Sequence, residues 1–338
     1  YTGESGTATR FIAALAAAGE GRYRIGGDRR NRERPIQDLL DGLAALGAKA
    51  ESEAGTGCPP VVVETSGLAA GTVTVRGAVS SQYLSALLMA APAADGPVTI
   101  EVDGELVSKP FVDMTLAVMA AFGAEVERAT YTRFRVPAPL RYPGRTYPVE
   151  PDAASASYFL AAAAATGGEV TVEGLTRASV QGAAGFADVL ARMGCTVDWT
   201  DAGVTVSGPE RLSGLDIDMN AMPDMVLTLA PLAVLARGRT VIENVANLRV
   251  KECDRLSALA TELGRLGARV EEHPDGLSIT PPRQVQPAEI ATYNDHRMAM
   301  GMAVVGLAGP GIRIADPACV GKTYPGFFED LERLAGTA

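Results

Sequence analysis

The feature that most constrains this chain is a glycine that returns at nearly even spacing. Five short strings, Leu46 to Ala48, Phe122 to Ala124, Met193 to Cys195, Leu266 to Ala268 and Leu334 to Gly336, read LGA, FGA, MGC, LGA and LAG. Their glycines Gly47, Gly123, Gly194, Gly267 and Gly336 stand 76, 71, 73 and 69 residues apart. Glycine just past a helix-periodic stretch can take the left-handed conformation that closes a helix. Each period has the same grammar: an Ala/Leu-rich helix, a Gly break, a β-rich strand, a polar loop, a second amphipathic helix and the glycine close. A period near seventy residues is too long for a short solenoid. Each unit is a βαβ-like module, and several must pack together to bury their helices. The expected fold class is α/β.

Between Val136 and Pro151 stand five prolines, Pro137, Pro139, Pro143, Pro148 and Pro151, the one stretch dense enough for a domain crossing. It divides the chain into domain 1–148 with two repeats and domain 149–338 with three. The odd split, and a start inside the string YTGESGTATRF, raise the expectation that a sixth module precedes this chain or comes from elsewhere. The first domain should then expose an apolar face where that module would pack.

Composition narrows the function. Hydrophobic residues make up 47%, ample for two cores. A net charge of −10 argues against nucleic acid, though a cleft can be locally positive on an acidic protein. No stretch reads as a signal peptide or membrane span, so a cytoplasmic protein is expected. Cys58, Cys195, Cys253 and Cys319 lack metal-ligand spacing and read as reduced thiols. With His273 and His296 the only histidines, no metal centre is expected.

Of the 30 basic residues only four are lysines, Lys49, Lys109, Lys251 and Lys322. The second helix opens on a basic residue in four periods, at Arg34, Lys109, Lys251 and Lys322. A single such cation is an ordinary solvated loop charge, but recurrence at one position points to bound anions, because a helix N-terminus alone disfavours cations. The first helices open on small polar sets: ESGTATR, SSQ, SAS, PDM and NDHR. Serines in SAS and Asp224 in PDM read as N-caps. Arg297 precedes an apolar helix and needs a cleft to face. Arg30, Arg34, Lys109, Arg249, Lys251, Arg255, Arg297 and Lys322 together exceed the needs of one monoanion, so two phosphorylated or carboxylated ligands meeting in one cleft are expected. Asp224 and Glu252 are the carboxylates placed to move protons.

The strings SSQYLSALLMAAP, LVSKPFVDMTL, SASYFLAAAA, RVKECDRL, ATYNDHRMAM and GKTYPGFF resemble those of the 5-enolpyruvylshikimate-3-phosphate synthase family, and the resemblance runs from Tyr1 to the C-terminus. It implies a two-domain enolpyruvyl transferase fold of βαβαββ repeats, five of six present. The implied reaction moves the enolpyruvyl group of phosphoenolpyruvate to the 5-hydroxyl of shikimate 3-phosphate and releases phosphate, a step toward aromatic amino acids. No metal or organic cofactor is implied, and the two substrates are the implied partners. By the same resemblance Gly6, Arg30, Gln82, Arg255, Arg297 and Lys322 face phosphoenolpyruvate. Ser80, Ser81, Ser108, Asp224, Asn247 and Lys251 face the shikimate phosphate. Asp224 takes the hydroxyl proton, and Glu252, with Lys251 or Lys322 near it, helps protonate the methylene carbon.

The family's N-terminal Lys-Ser and Asn-Arg have no match here, which implies crippled turnover unless that segment binds in trans. Glu4 stands where the family usually has Asn. A protein that binds shikimate 3-phosphate without turnover is the alternative from another class. Within the enolpyruvyl transferases the rival acts on UDP-N-acetylglucosamine; it carries a Cys in the loop after a Gly-Gly pair, whereas Asp28 follows Gly26-Gly27 here.

Overall fold

The computed structural model describes residues 1–309 and 311–336. The chain divides into two compact units, Tyr1–Pro148 and Val149–Ala338. The division falls in the proline-rich stretch, which forms no helix or strand between Val136 and Ala153.

The first unit runs α1 (Gly6–Ala17), β1 (Gly21–Ile25), α2 (Gln37–Ala45), β2 (Lys49–Ser52), β3 (Val61–Thr65), β4 (Gly71–Arg76), α3 (Ser81–Ala90), β5 (Val98–Asp103), α4 (Lys109–Ala121), β6 (Glu127–Arg128) and β7 (Arg133–Val136). Two sheets form, of order β1-β3-β2 and β4-β5-β7-β6, with β4 and β5 parallel. Alternation decides which strand face is buried: Val73 and Val75 of β4 and Val98, Ile100 and Val102 of β5 point inward. Helix α3 is buried nearly all round, as its unbroken run YLSALLMA requires. Beside it, α1 and α4 leave an apolar groove of about 410 Å³ lined by Phe11, Leu15, Met89, Val118, Phe122 and Tyr142 among others. Leu15 there is 70% exposed.

The second unit runs α5 (Ala153–Thr166), β8 (Glu169–Glu173), α6 (Phe186–Arg192), β9 (Thr196–Thr200), β10 (Gly203–Ser207), β11 (Asp216–Asp218), α7 (Val226–Ala233), β12 (Thr240–Glu243), α8 (Arg255–Arg265), β13 (Arg269–His273), β14 (Gly276–Thr280), β15 (Ala288–Ile290), α9 (His296–Ala308), β16 (Ile312–Ile314) and α10 (Phe327–Ala335). Its sheets are β8-β10-β9, β11-β12-β14-β13 and the pair β15-β16. The order β11-β12-β14-β13, with β11 and β12 parallel, repeats that of β4-β5-β7-β6 in the first unit. The chain therefore forms the βαβαββ module, mixed α/β in class. Among the described residues no helix is long and apolar enough to cross a membrane.

All five repeat glycines adopt positive φ, 93° at Gly47, 79° at Gly123, 107° at Gly194, 89° at Gly267 and 67° at Gly336, each just past a helix. A side chain at any of them would be strained, which is why this position recurs as glycine.

The helix starts differ from the sequence-based expectation at three places. Ser155 and Ser157 lie inside α5, whose cap is Asp152, and Ser157 instead bonds the Ala154 carbonyl and the Thr228 hydroxyl. Asp224 caps nothing; it sits in the short 3-10 turn Pro223–Met225 that leads into α7. Of the four basic residues only Lys109 begins its helix, while Arg34, Lys251 and Lys322 lie in the turns before α2, α8 and α10. The helix dipole explains the shift at α8: the Asp254 carboxylate accepts from the Ser257 N–H, satisfying the positive end with an anion.

Candidate active site

The second unit gathers seven charged side chains around the start of α8. Arg255 is 1% exposed, and its guanidinium is shared by three carboxylates. Its Nε donates to Asp295 Oδ2 at 2.7 Å and its Nη2 to Asp295 Oδ1 at 3.2 Å. Its Nη1 donates to Asp224 Oδ1 at 2.8 Å, and Nη2 lies 2.9 Å from Glu252 Oε2. Lys322 Nζ donates to Glu252 Oε1 at 2.8 Å. Lys251 Nζ stands 3.8 Å from Asp224 Oδ1 and Arg297 Nη2 3.7 Å from Asp224 Oδ2. Arg297 also donates from Nη1 to the hydroxyl of the fully buried Tyr158, at 3.2 Å. Its planar fork spreads four contacts over three carboxylates, two of them on Asp295, a geometry that the converging donors of a lysine ammonium would not reproduce.

Position follows from local rules. Asp295 caps α9 by accepting from the Arg297 N–H at 3.0 Å, which orients the first turn and with it Arg297. Asn247 lies in the 3-10 turn Ala246–Val250, packed against the turn that holds Asp224. Arg249, counted with the anion-binding set, is engaged elsewhere: it donates to Asp254, Glu272 and the carbonyls of His273 and Pro274.

Burial alone would raise the Asp224 pKa, but Lys251, Arg297 and Arg255 outweigh it and hold the carboxyl well below its usual range. Burial likewise opposes ionisation of Asp295, and the charge and hydrogen bonds of Arg255 overcome it. Arg255 and Arg297 stay charged, because the neighbouring anions and Tyr158 more than offset burial. Three acids and four bases leave one net positive charge, suited to an anionic ligand.

His296, 3% exposed and next to the cluster, has its pKa lowered from 6.5 to about 4, by burial first and then by Arg297, against the attraction of Asp295. Its unfolded form takes up a proton that the folded form refuses, so stability is lost as pH falls from 6.5 toward 4. We expect a loss of about 3 kcal/mol across that window from this residue. Urea titrations followed at pH 7 and pH 4.5 should show it, and His296→Gln should flatten the difference.

In the first unit Gly6 opens α1 against the buried Arg34; a Cβ on Gly6 would lie 2.6 Å from the guanidinium carbon. Arg10 of α1 donates to Gln82 Oε1 at 2.6 Å and to the Pro35 carbonyl at 2.8 Å, and Gln82 Nε2 donates to Thr7 Oγ1 at 3.0 Å. Gly6, Gln82 and Arg34 are thus brought together through Arg10 and Thr7. Ser80 caps α3 and Ser81 begins it, both adjoining Gln82. Ser108 precedes α4 in a left-handed conformation, φ 55°, and is buried. Arg30 lies in the same string as Arg34 but pairs with Glu33 at 3.0 Å, and Lys109 pairs with Glu105 at 3.3 Å. Sequence reasoning missed Arg10, Asp295 and Tyr158 as members of these clusters. The NDHR string carried a signal for Asp295, since an acid before a buried Arg is an available counter-charge.

The family model for EPSP synthase (3-phosphoshikimate 1-carboxyvinyltransferase) matches residues 1–331. A 3-phosphoshikimate 1-carboxyvinyltransferase of Shewanella baltica is 48% identical over 338 residues, spanning 99% of this chain and 79% of that protein. The chloroplastic 3-phosphoshikimate 1-carboxyvinyltransferase of Arabidopsis thaliana is 50% identical over 347 residues, spanning 99% of this chain and 66% of that one. A solved EPSP synthase from Acinetobacter baumannii matches with a TM-score of 0.78 at 25% identity, covering 98% of this chain and 78% of its own. The motif resemblance, the repeated βαβαββ order and a family match along almost the whole length agree: the chain belongs to the EPSP synthase family.

Proposed function

We propose that this chain transfers the enolpyruvyl group of phosphoenolpyruvate to the 5-hydroxyl of shikimate 3-phosphate, releasing inorganic phosphate. The observation that carries this reading is the cluster around Arg255, in which two carboxylates with different surroundings, Asp224 and Glu252, lie among Lys251, Arg297 and Lys322. Lys251, with Asn247 and, in the first unit, Ser80, Ser81 and Ser108, is assigned to the shikimate phosphate. Arg297 and Lys322, with Gly6 and Gln82, are assigned to phosphoenolpyruvate. Arg34, buried against Gly6, is a further anion-holding candidate beside Arg30. Arg255 sets the carboxylates, and a ligand reaching it must displace Asp224 or Glu252 from its donors.

Asp224 accepts the proton of the 5-hydroxyl as the oxygen attacks the substituted alkene carbon of phosphoenolpyruvate. A carboxylate held so acidic is a weak base. Anionic ligands drawing Lys251 and Arg297 toward themselves would relax that hold and raise its basicity. The Lys322 ammonium, which donates to Glu252 at 2.8 Å, supplies the proton that Glu252 passes to the methylene carbon, giving a tetrahedral ketal. Loss of that proton and of phosphate then completes the transfer. The cations lower the cost of charge on both phosphates and the carboxylate throughout, so positioning and electrostatics do most of the catalysis.

The finer partner and location expectations belong to the same reading. A cytoplasmic location goes with it, and an N-terminal segment supplied in trans would have the apolar groove beside Leu15 as its natural seat.

The test is phosphate release by the purified chain, with and without a peptide covering the N-terminal part of the Shewanella relative. Release is expected only when phosphoenolpyruvate and shikimate 3-phosphate are both present, and faster with the peptide. No release under any of these conditions, or release driven by UDP-N-acetylglucosamine instead, would overturn the reading.

A further inference from the structure

We propose that Glu262 is a positioning residue for the phosphoenolpyruvate side of the site, acting through the segment 291–295; this rests on the reaction proposed above. Glu262 lies on α8 two turns after Arg255, on the same face. It is 0% exposed, and its charge has no role in the apolar packing of Leu259 and Leu263 beside it. Its Oε2 accepts from the Ala291 N–H at 3.1 Å and its Oε1 from the Tyr293 hydroxyl at 2.8 Å. The nearest cation, Arg265, is 3.6 Å away and half exposed.

What Glu262 holds is strained. Tyr293 and Asn294 both sit at φ 55°. Asn tolerates that region, whereas a bulky residue such as Tyr rarely enters it without being held. The following residue is Asp295, which caps α9, orients Arg297 and grips Arg255. One helix therefore pins the segment at two points. Arg255 takes Asp295 after the strained pair, and Glu262 takes Ala291 before it and the side chain of Tyr293 within it. Released at Glu262, Tyr293 and Asn294 would relax toward extended backbone, and the turn beginning with Asp295 would shift with them. Arg297 and Arg255 would move; Lys251 and Asn247, carried by the turn before α8, would not.

The charge matters less than the two acceptor positions. A glutamine could offer its carbonyl to the Ala291 N–H and its amide N–H to the Tyr293 oxygen, so it should preserve the clamp.

The experiment compares Glu262→Ala, Glu262→Gln and Tyr293→Phe in steady-state phosphate release, varying each substrate in turn, together with amide hydrogen exchange across 291–297. Glu262→Ala should raise the KM for phosphoenolpyruvate about 10- to 100-fold, on the scale lost when a partner that orients a metal ligand is removed. The KM for shikimate 3-phosphate should stay unchanged. Glu262→Gln should restore wild-type behaviour, and Tyr293→Phe should fall between. Exchange should accelerate at 291–297 in the alanine variant and not in the glutamine one. A loss shared equally by both substrates, or one confined to kcat through a smaller folded fraction, overturns the proposal. If the alanine variant does not fold, Tyr293→Phe decides, and a wild-type KM for phosphoenolpyruvate in it overturns the idea. If the unsubstituted chain shows no turnover with or without the N-terminal peptide, the functional reading has failed and exchange alone decides: unaltered protection at 291–297 in the variants refutes the clamp, and accelerated exchange confined there upholds it.

Discussion

Replacing Arg255 by leucine should lower the unfolding free energy of the second unit by about 3–5 kcal/mol at pH 7, the cost of removing one partner from a buried ion pair. Trp199, the only tryptophan of the chain, lies on β9 in that unit and reports its unfolding by fluorescence. The sign of the pH dependence is the sharper test. With Arg255 present, Asp295 has a lowered pKa and contributes stability that is present at neutral pH and lost only in acid. Without Arg255 the same carboxyl is buried beside too little positive charge, so its folded pKa should rise above the unfolded value. The variant's deficit relative to the unsubstituted chain should then be largest at pH 7 and shrink as pH approaches 4, where protonation removes the buried charge. A deficit that is constant with pH would mean that Arg255 contributes through packing rather than through its three carboxylates.

Asp224→Asn should reduce kcat by about 10²–10⁴-fold, the usual contribution of a positioned proton acceptor. Substrate binding should not weaken. Removing the Asp224 charge leaves Lys251, Arg297 and part of Arg255 less neutralised, so the site becomes more positive toward phosphate and carboxylate. Steady-state measurements should show kcat falling while KM for both substrates holds or drops. A rise in both KM values with kcat retained would assign Asp224 to organising the cations instead of accepting the proton.

The two variants probe parts of the molecule that were not equally legible in the sequence. The repeat was readable because each glycine close obeys a rule that spans one helical turn: a residue past the helix must take positive φ, and all five do. Motif strings also marked Asp224, Lys251, Glu252, Arg255, Arg297 and Lys322, and these residues lie in one cluster of the second unit. That Gly6 packs against the guanidinium of Arg34, in the same short string as Arg30, was not readable, because no local rule relates the start of α1 to the turn before α2. The capping role given to Ser155 and Ser157 failed for a related reason, since Asp152, an equally good cap just upstream, lets the helix start three residues earlier.

By itself, then, the sequence determined the α/β class, the roughly seventy-residue module and the strings that carry the charged residues, because helix closure and strand alternation are decided by neighbours within a few positions. Which charges meet was decided only in the tertiary structure. Arg255 reaches Asp224 across 31 residues and Asp295 across 40, and Lys322 reaches Glu252 across 70. Ion pairs are selected by where distant turns come together and by how much water they lose there, and no local rule encodes either.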